Sequence, residues 1–370
     1  MNIVAQPTKM NSGSITRALI NLNALKHNQK VLQKYAPDSQ ILAVIKANAY
    51  GHGMVRIAQA ISGIHAFGVA RLNEALALRA EGMTKPIVLL EGFFHVDDLE
   101  TLVEHNLQTV VHSKQQLDAI LASKLNKPLQ VWLKLDTGMH RLGFHEHEFD
   151  AAYQALKSSE NVLHPIHLMT HFNCADELQN NATATQCKIF KSHIKPGNGL
   201  TSLANSAAIL AWPETHRDVI RPGIALYGVS PFAHKVACDF NLQPVMTLTS
   251  QLIAVRKHKA GESVGYGAHW TSEKNTNLGV VAVGYGDGYP RMAPEGTPIL
   301  INGRLVPIVG RVSMVMLTVD LGENCTDKVG DDVILWGEGL PAEQVAQHIG
   351  TIAYELITKL TARVAIQYAS

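Results

Sequence analysis

Eight short apolar runs, separated by segments with helical character, occupy the first two thirds of this chain. The runs are ILAVIKAN (41–48), AFGVA (66–70), IVLLEGF (87–93), LQTVVHS (107–113), LQVWLKLD (129–136), IHLMTHF (166–172), TSLANS (201–206) and VIRPGIALYG (219–228). Eight strand–helix units over this length favour a (β/α)8 barrel of the TIM type. The alternative is an open doubly wound sheet, which would be expected to carry a GxGxxG loop after its first strand. No such loop is present.

After about residue 240 the sequence changes character. Short β-rich runs alternate with Gly, Pro and Asn, as in residues 245–261, 277–290, 298–322 and 331–339, and only the segment 341–360 near the end looks helical. This pattern predicts a separate all-β domain. We therefore expect a polar leader over residues 1–14, an α/β barrel over 15–240 and a mainly β domain over 241–370.

The composition excludes several classes of function. The net charge is +1 and there are no long basic runs, so nothing indicates a nucleic-acid partner. No apolar stretch approaches the ~20 residues that span a bilayer, and the polar N-terminus lacks the apolar core of a secretory signal. Four widely spaced cysteines fit a reducing cytoplasm. The eighteen histidines are scattered, and we predict no metal site from them.

Polar side chains follow the apolar runs at the points where barrel strands would end. In barrel enzymes the active site lies at the C-terminal ends of the strands. The candidates there are Lys46, Lys134, Asp136, Arg141, His171, Asn205, Ser206, Arg221, Gly223 and Ile224. Two lysines, two arginines and a histidine in one concave site predict an anionic ligand.

Lys46 is the most informative of these residues, because it ends a strand that is otherwise apolar. The structural alternative is an ordinary surface lysine, but a desolvated lysine can also act as a nucleophile or a base. Ser206 offers a hydroxyl, and Gly223 lets the backbone approach a ligand closely. A phosphate after strands seven and eight, together with an amine at Lys46, fits pyridoxal 5′-phosphate, which a lysine holds covalently.

Seven motifs extend this pattern along almost the whole chain. They are AVIKANAYGHG (43–53), KLDTGMHRLGF (134–144), THF followed by ADE (170–177), RPGIALYG (221–228), VGYGAHW (264–270), VAVGYGDGYPR (281–291) and VGRVSM (309–314). In type and order they resemble those of alanine racemases, the fold-type III pyridoxal-phosphate enzymes. The resemblance implies a racemase that interconverts L- and D-alanine, supplies D-alanine for peptidoglycan and works as a cytoplasmic homodimer.

The same resemblance implies specific roles. Lys46 would hold the cofactor and act as the base on one face of the substrate, with Tyr266 of a second copy as the base on the other face. His171 would bond that tyrosine, and Arg221 would bond the histidine and face the pyridine nitrogen. The phosphate would be held by Tyr50, Ser206, Gly223, Ile224 and Tyr354. The substrate carboxylate would be bound by Arg141 and the Met314 N–H, and Lys134 would carry a carbamate. The passage for substrate would be lined by Asp176, Tyr285, Arg291 and Arg311.

Two departures from the family pattern stand out. Val315 follows Ser313 and Met314 where the family usually has aspartate. This change bears on the position of the carboxylate-binding loop and on the catalytic turnover rate. Near the C-terminus, Ala362 and Ala365 replace the usual prolines and Ile366 replaces a basic residue. We expect these C-terminal changes to affect the substrate passage or the dimer contact and to leave the chemistry unchanged.

Three other functions remain open at this point. A broad-specificity amino-acid racemase would differ only in pocket shape, and one methylene is worth only ~1–3 kcal/mol. A decarboxylase with the same cofactor would be expected to place a carboxylate, where this chain has Arg221, at the pyridine nitrogen. A non-enzymatic cofactor carrier would resemble the barrel alone, so the β domain with Tyr266 and Met314 argues against it.

Overall fold

The protein is described by a computed structural model covering residues 15–369, in which the chain forms two compact units. One unit is Leu25–Gln243; the other combines the residues up to Ala24 with those from Pro244 onward. The predicted polar leader, 1–14, lies outside the described residues. None of the described helices is long and apolar enough to cross a bilayer.

The N-terminal strand corrects the predicted domain boundary. Strand β1 (Arg17–Asn21) pairs antiparallel with strand Met246–His258 and parallel with strand Ala365–Ala369. Its alternating burial, with Ala18 and Ile20 inward, is typical of a strand with one covered face. The barrel unit therefore begins at Leu25, where the sequence predicted residue 15, because this strand belongs to the β unit.

Eight parallel strands form the predicted barrel, which confirms the fold class. They are β2 (Gln40–Val44), β3 (Ala66–Val69), β4 (Ile87–Leu89), β5 (Gln108–Val111), β6 (Leu129–Lys134), β7 (Val162–Met169), β8 (Thr201–Ser202) and β9 (Val219–Ile220). Each of the eight apolar runs supplies one of them. Their order in the sheet is β8-β7-β6-β5-β4-β3-β2-β9, and every pairing is parallel.

Helices connect the strands of this unit. They are α1 (Leu22–Tyr35), α2 (Met54–Ala60), α3 (Leu72–Ala80), α4 (Asp98–Glu104), α5 (Lys114–Ala122), α6 (Glu146–Lys157), α7 (Ala182–Ser192) and α8 (Ser206–Ala211), with single 3₁₀ turns at Pro213–Thr215, Ile224–Tyr227 and Ala237–Phe240. The barrel interior is filled by buried side chains from seven of the eight strands: Leu42, Val44, Ala66, Val88, Val110, Trp132, Met169 and Val219. These side chains form a packed core, as expected for this fold.

The barrel closes at a seam between β8 and β9. These two strands are the ends of the sheet order, and other hydrogen bonds join them. The Asp218 carboxylate accepts from the N–H of Thr201 at 2.8 Å and from its hydroxyl at 2.6 Å, and the Ser202 hydroxyl donates to the Val219 carbonyl at 2.6 Å. The N–H of Arg221 donates to Ala204 O at 2.9 Å, just beyond the strands. The seam therefore runs directly into the predicted active-site rim.

The other unit is mainly strand, as predicted. Besides β1 it contains β10 (Met246–His258), β11 (Ser263–Val264), β12 (Trp270–Thr271), β13 (Thr276–Val281), β14 (Pro298–Ile301), β15 (Arg304–Pro307), β16 (Leu317–Asp320), β17 (Asp332–Trp336) and β18 (Ala365–Ala369), with 3₁₀ turns at Tyr266–Ala268 and Tyr285–Asp287. The long strand β10 is central, because β1, β13 and β17 all pair with it.

The predicted C-terminal helical segment is two helices. α9 (Ala342–Ile349) ends at Gly350, which adopts a left-handed φ of +82°, and α10 (Ala353–Thr358) follows. A left-handed glycine after the last turn is a common helix stop. Of the departures from the family pattern, Ala362 precedes β18, while Ala365 and Ile366 begin it. The N–H of Ala365 donates to Thr16 O at 3.3 Å, a bond that a proline at this position could not make.

Candidate active site

Lys46 begins a short left-handed turn directly after β2. The next four residues, Ala47, Asn48, Ala49 and Tyr50, all have φ between +52° and +54°. This conformation costs an L-residue roughly 1–2 kcal/mol, so a run of four needs strong external support. The turn sets Lys46 at one end and Tyr50 at the other, which confines two predicted ligand-binding residues to one turn of chain.

A carboxylate and an amide provide much of that support. Oε1 of Glu74, on α3, accepts the N–H of Ala47 at 2.7 Å, while its Oε2 accepts the N–H groups of Ala70 at 2.8 Å and Arg71 at 3.0 Å. The Asn48 side-chain oxygen accepts the N–H of Met54 at 2.9 Å and so ties the turn to the start of α2. Glu74 therefore joins the Lys46 turn to the end of the neighbouring strand.

The amine of Lys46 faces a second carboxylate. Its Nζ lies 3.9 Å from Oε1 of Glu91, whose other oxygen is paired with Arg71. Glu91 follows β4, at the same end of the barrel as Lys46. The side chains of Lys46 and Glu91 are 37% and 30% exposed, so the amine remains accessible to a ligand at the mouth.

Hydroxyl and backbone N–H groups converge after β8 and β9. The Ser206 hydroxyl accepts the N–H groups of Gly223 at 2.9 Å and Ala225 at 3.2 Å. A Cβ at Gly223 would lie 2.5 Å from the Tyr50 hydroxyl, so only glycine permits this approach. The Tyr50 ring stacks on Tyr227 with centroids 4.9 Å apart. A hydroxyl pair and backbone N–H groups at one point suit a phosphate group.

Arg221 is buried at the seam and fully engaged. Its guanidinium donates to Ser202 Oγ at 2.6 Å, Thr170 O at 2.5 Å and Leu203 O at 3.2 Å. Burial lowers its pKa to about 10. It also lies 3.4 Å from Nδ1 of His171. Because a guanidinium only donates, Nδ1 is the acceptor and the neutral imidazole carries its proton on Nε2.

Four cations converge around this histidine. Burial and then the charges of Arg221, Lys134, Arg141 and Lys46 hold the pKa of His171 well below its usual range. Lys134 is itself buried, and its burial together with Arg221, Arg141 and Lys46 lowers its pKa to about 7 against the opposing charge of Asp136. The electrostatics of the site therefore favour negative charge.

The remaining predicted residues of this unit have distinct settings. Arg141 is exposed in the loop after β6, and Asp176 is exposed beyond β7. The side-chain oxygen of Asn205 accepts the N–H of Ala208 at 3.0 Å, so it caps α8. Gln186, which the sequence analysis missed, joins two loops of the rim by donating to Thr137 Oγ1 and to His171 O, both at 3.1 Å.

Tyr266 lies in the β unit, in the 3₁₀ turn between β11 and β12. The residue is 75% exposed, so the alternative of a packed β-domain aromatic does not apply. The turn is fixed beneath by a small apolar cluster that includes Val264 and Trp270. A Cβ at Gly267 would lie 3.3 Å from the guanidinium of Arg311, so the structure brings Arg311 beside the Tyr266 turn.

A second exposed turn region in the β unit contains Tyr285 and Met314. The N–H of Tyr285 donates to Ser313 O at 3.1 Å, and the Met314 carbonyl accepts from Gly286 at 2.7 Å. The turn is closed by the bond from Ser313 N–H to Met316 O at 2.8 Å. These are backbone bonds, so valine at 315 does not remove them. Arg291 is exposed and Tyr354 is half-buried in this unit.

The structure thus gathers the barrel residues at one rim and the β-unit residues in two exposed turns. Sequence reasoning missed Glu74, Glu91 and Gln186. Glu91 follows a barrel strand and could have been found by the strand-end rule that identified the others. Glu74 is the third residue of a helix, where a carboxylate usually accepts a hydrogen bond from the backbone N–H of the N-cap residue. Gln186 lies within a helix and gave no signal.

Comparisons with known proteins give one consistent result. Residues 20–231 match a family described as alanine racemase, N-terminal domain, and residues 245–368 match alanine racemase, C-terminal domain. Alanine racemase of Shewanella piezotolerans is 60% identical over 350 residues, covering 95% of this chain and 98% of that protein. That of Aeromonas hydrophila is 57% identical over 351 residues, with the same coverage.

Solved structures agree. The biosynthetic alanine racemase from Pseudomonas aeruginosa has a TM-score of 0.93 at 44% identity, covering 96% of this chain and 99% of that one. The alanine racemase from Acinetobacter baumannii has a TM-score of 0.89 at 38% identity, with the same coverage.

Replacing Glu74 with alanine tests its role in holding the Lys46 turn. We expect Glu74→Ala to lower the free energy of unfolding by about 2–3 kcal/mol, because the N–H groups of Ala47, Ala70 and Arg71 lose their acceptor. Hydrogen exchange at Ala47 should become faster. Glu81→Ala, an exposed site at the other end of α3, should cost under ~0.5 kcal/mol in the same urea titration. Equal stabilities for the two variants would contradict this role.

Proposed function

The chain belongs to the alanine racemase family, and from that premise we propose that it is a pyridoxal-phosphate-dependent isomerase that interconverts L- and D-alanine with two bases. The observation that carries the proposal is the rim that joins an accessible Lys46 amine, a cationic cluster and the hydroxyls of Tyr50 and Ser206 beside Gly223. We further propose that it supplies D-alanine for peptidoglycan in the cytoplasm. Its four cysteines are free thiols, which fits that compartment.

The residues present fit the cofactor. Ser206, Tyr50 and the backbone of Gly223 and Ile224 would hold the phosphate, with Asn205 at the start of α8 and Tyr354 as further contacts. Lys46 would hold the aldehyde carbon through its amine. When bound, pyridoxal phosphate acidifies the α-carbon hydrogen of an amino acid by delocalising the electron pair left behind.

Inversion removes a proton from one face of the α-carbon and returns it on the other, which is easiest with one base on each face. We propose that the Lys46 amine works on one face and the Tyr266 phenol of a second copy on the other. A phenol near pKa 10 is a weak base unless its surroundings favour the phenolate. The positive charges of Arg221 and Arg141 near His171 support that role, since the Nε2–H of His171 would donate a hydrogen bond to the tyrosine oxygen in a positive field.

Arg221 would limit how strongly the cofactor ring withdraws electrons. Its guanidinium is fixed by three acceptors and would face the pyridine nitrogen. A fixed positive charge disfavours protonation of that nitrogen, so the ring withdraws fewer electrons than in enzymes with a carboxylate there. This arrangement limits side reactions and disfavours the decarboxylase alternative.

Substrate binding would use Arg141 and the N–H of Met314 for the carboxylate. Lys134 would carry a carbamate that orients Arg141. Its amine is buried among three cations, and reaction with carbon dioxide forms an N–C bond, releases a proton and places an anion among them. Asp176, Tyr285, Arg291 and Arg311 would line the passage for substrate, and their exposure in the single chain fits that role.

A homodimer follows from the two-base site. Tyr266 and Met314 are 75% and 59% exposed, as expected for residues that complete a site on another copy. The nearby side chains of Val315 and Met316 are also exposed apolar groups. Two-fold symmetry would let each β unit complete the barrel site of its partner.

The activity test separates alanine from larger substrates. Protein loaded with pyridoxal phosphate is incubated with L-alanine, L-serine, L-lysine or L-arginine, and the D-enantiomers and carbon dioxide are measured. We expect D-alanine to form fastest with no carbon dioxide. The control, Lys46→Ala, should lose both the visible absorbance of the bound cofactor and the activity. Comparable rates for the larger amino acids would identify a broad-specificity racemase instead.

Tyr266→Phe tests the second base directly. Without the phenol, exchange of the L-alanine α-hydrogen with deuterated solvent should fall by about 100- to 10,000-fold, while exchange from D-alanine at the Lys46 face persists. Mass spectrometry of each recovered enantiomer measures both rates. Tyr289→Phe, a buried tyrosine of the same unit, is the matched control and should behave as the parent. Equal losses from both enantiomers would count against the two-base assignment.

The carbamate on Lys134 is observable without turnover. Protein equilibrated with ¹³C-bicarbonate should show one carbamate carbon resonance by NMR, because the buried amine gains an anion that three nearby cations stabilise. Lys134→Arg should abolish the resonance, and Lys127→Arg, an exposed lysine before β6, should retain it. A parent protein without the resonance would exclude the modification.

A further inference from the structure

The loop between β6 and α6 is pinned at both ends. The N–H of Asp136 donates to Phe144 O and the N–H of Phe144 donates to Lys134 O, both at 2.9 Å. Gly143 has a left-handed φ of +128°, and a Cβ there would lie 2.6 Å from the N atom of Asp136. The two ends of the loop are therefore held in contact, which places His145, the residue after Phe144, near Asp136.

Asp136 is a fixed carboxylate in this loop. Its side chain is 4% exposed, and its Oδ1 accepts the N–H groups of Gly138 and His140, each at 3.0 Å. Oδ2 lies 3.1 Å from Nδ1 of His140, whose backbone has a left-handed φ of +54°. Oδ1 is thus held by the backbone, while Oδ2 points toward the histidines.

We propose that Asp136, His140 and His145 form a binding site for a divalent transition-metal ion of the zinc class. One ligand atom from each residue lies within 4.8 Å of the other two. Four-coordinate zinc needs ligand atoms about 3.3 Å apart, and both histidines are exposed and can rotate inward. One carboxylate with two imidazoles suits zinc, nickel or copper, while magnesium and calcium prefer oxygen ligands. The sequence analysis missed the site because the three residues become neighbours only when the loop is pinned.

The site has a consequence for catalysis, which rests on the proposed function. Arg141, the proposed carboxylate ligand, lies in the chain between His140 and His145. A metal ion that joins both histidines to Asp136 would restrain the backbone on either side of this arginine. The KM for alanine should therefore differ between metal-loaded and metal-free protein.

The primary test measures binding alone and needs no turnover. Untagged protein, purified with its cofactor and treated with chelator, is titrated with Zn²⁺ and separately with Mg²⁺ by calorimetry. We expect one equivalent of Zn²⁺ per chain and no comparable Mg²⁺ binding. His145→Asn and His140→Asn should each weaken Zn²⁺ binding by at least about tenfold, as for loss of a metal ligand. Asparagine preserves the helix N-cap at 145 and tolerates the left-handed backbone at 140.

The control is His234→Asn, an exposed histidine in a different loop of the same unit. It should bind Zn²⁺ as the parent does, and zinc anomalous scattering from a soaked crystal should locate the ion between the three ligands. Equal affinity of the parent and His145→Asn would overturn the proposal. If the protein binds Zn²⁺ at this site but does not racemise alanine, only the proposed function is contradicted. If Zn²⁺ changes the KM of His145→Asn as it changes that of the parent, the proposed effect of the metal on Arg141 is wrong.

Discussion

The buried guanidinium of Arg221 is the interaction on which the rest of the rim depends. A guanidinium stays charged in a protein, so burying it requires acceptors from its surroundings. It finds them at the ends of the two preceding strands, on Thr170, Ser202 and Leu203. These bonds add to those of Asp218 and Ser202 at the seam where β8 and β9 form no ladder, and the same group sets the tautomer of His171. One side chain therefore contributes both to closure of the barrel and to the electrostatics of the site.

The left-handed turn after β2 shows how the same unit tolerates a locally unfavourable backbone. Four consecutive residues adopt a conformation that costs roughly 1–2 kcal/mol each. Bonds to Glu74 and from Met54 offset part of that cost. Alanine and asparagine suit the turn because the first is small and the second often occupies this backbone region. Strain of this kind is typical of functional sites, where surrounding structure determines the geometry.

Much of this organisation could be predicted from the sequence, and the failures have physical causes. The eight barrel strands follow from apolar runs, because strands buried on both faces are continuously apolar. The rim residues follow from their position after those runs. The first strand was assigned to the wrong unit because its partners, β10 and β18, are more than 220 residues away. Glu74, Gln186 and the site at Asp136, His140 and His145 were missed for the same reason: their partners depend on how loops close in three dimensions.

The pairing of β1 with β10 and β18 also affects the order in which the chain can assemble during synthesis. The barrel unit, Leu25–Gln243, is contiguous and is complete before any residue of β10 leaves the ribosome. Strand β1 is made before the barrel, yet its antiparallel partner is made after the barrel and its parallel partner later still. Domains generally fold as units in the order of translation. The first strand therefore has both edges unpaired while the barrel folds, and polar side chains at Arg17 and Asn21 help to keep it in solution until the sheet is complete.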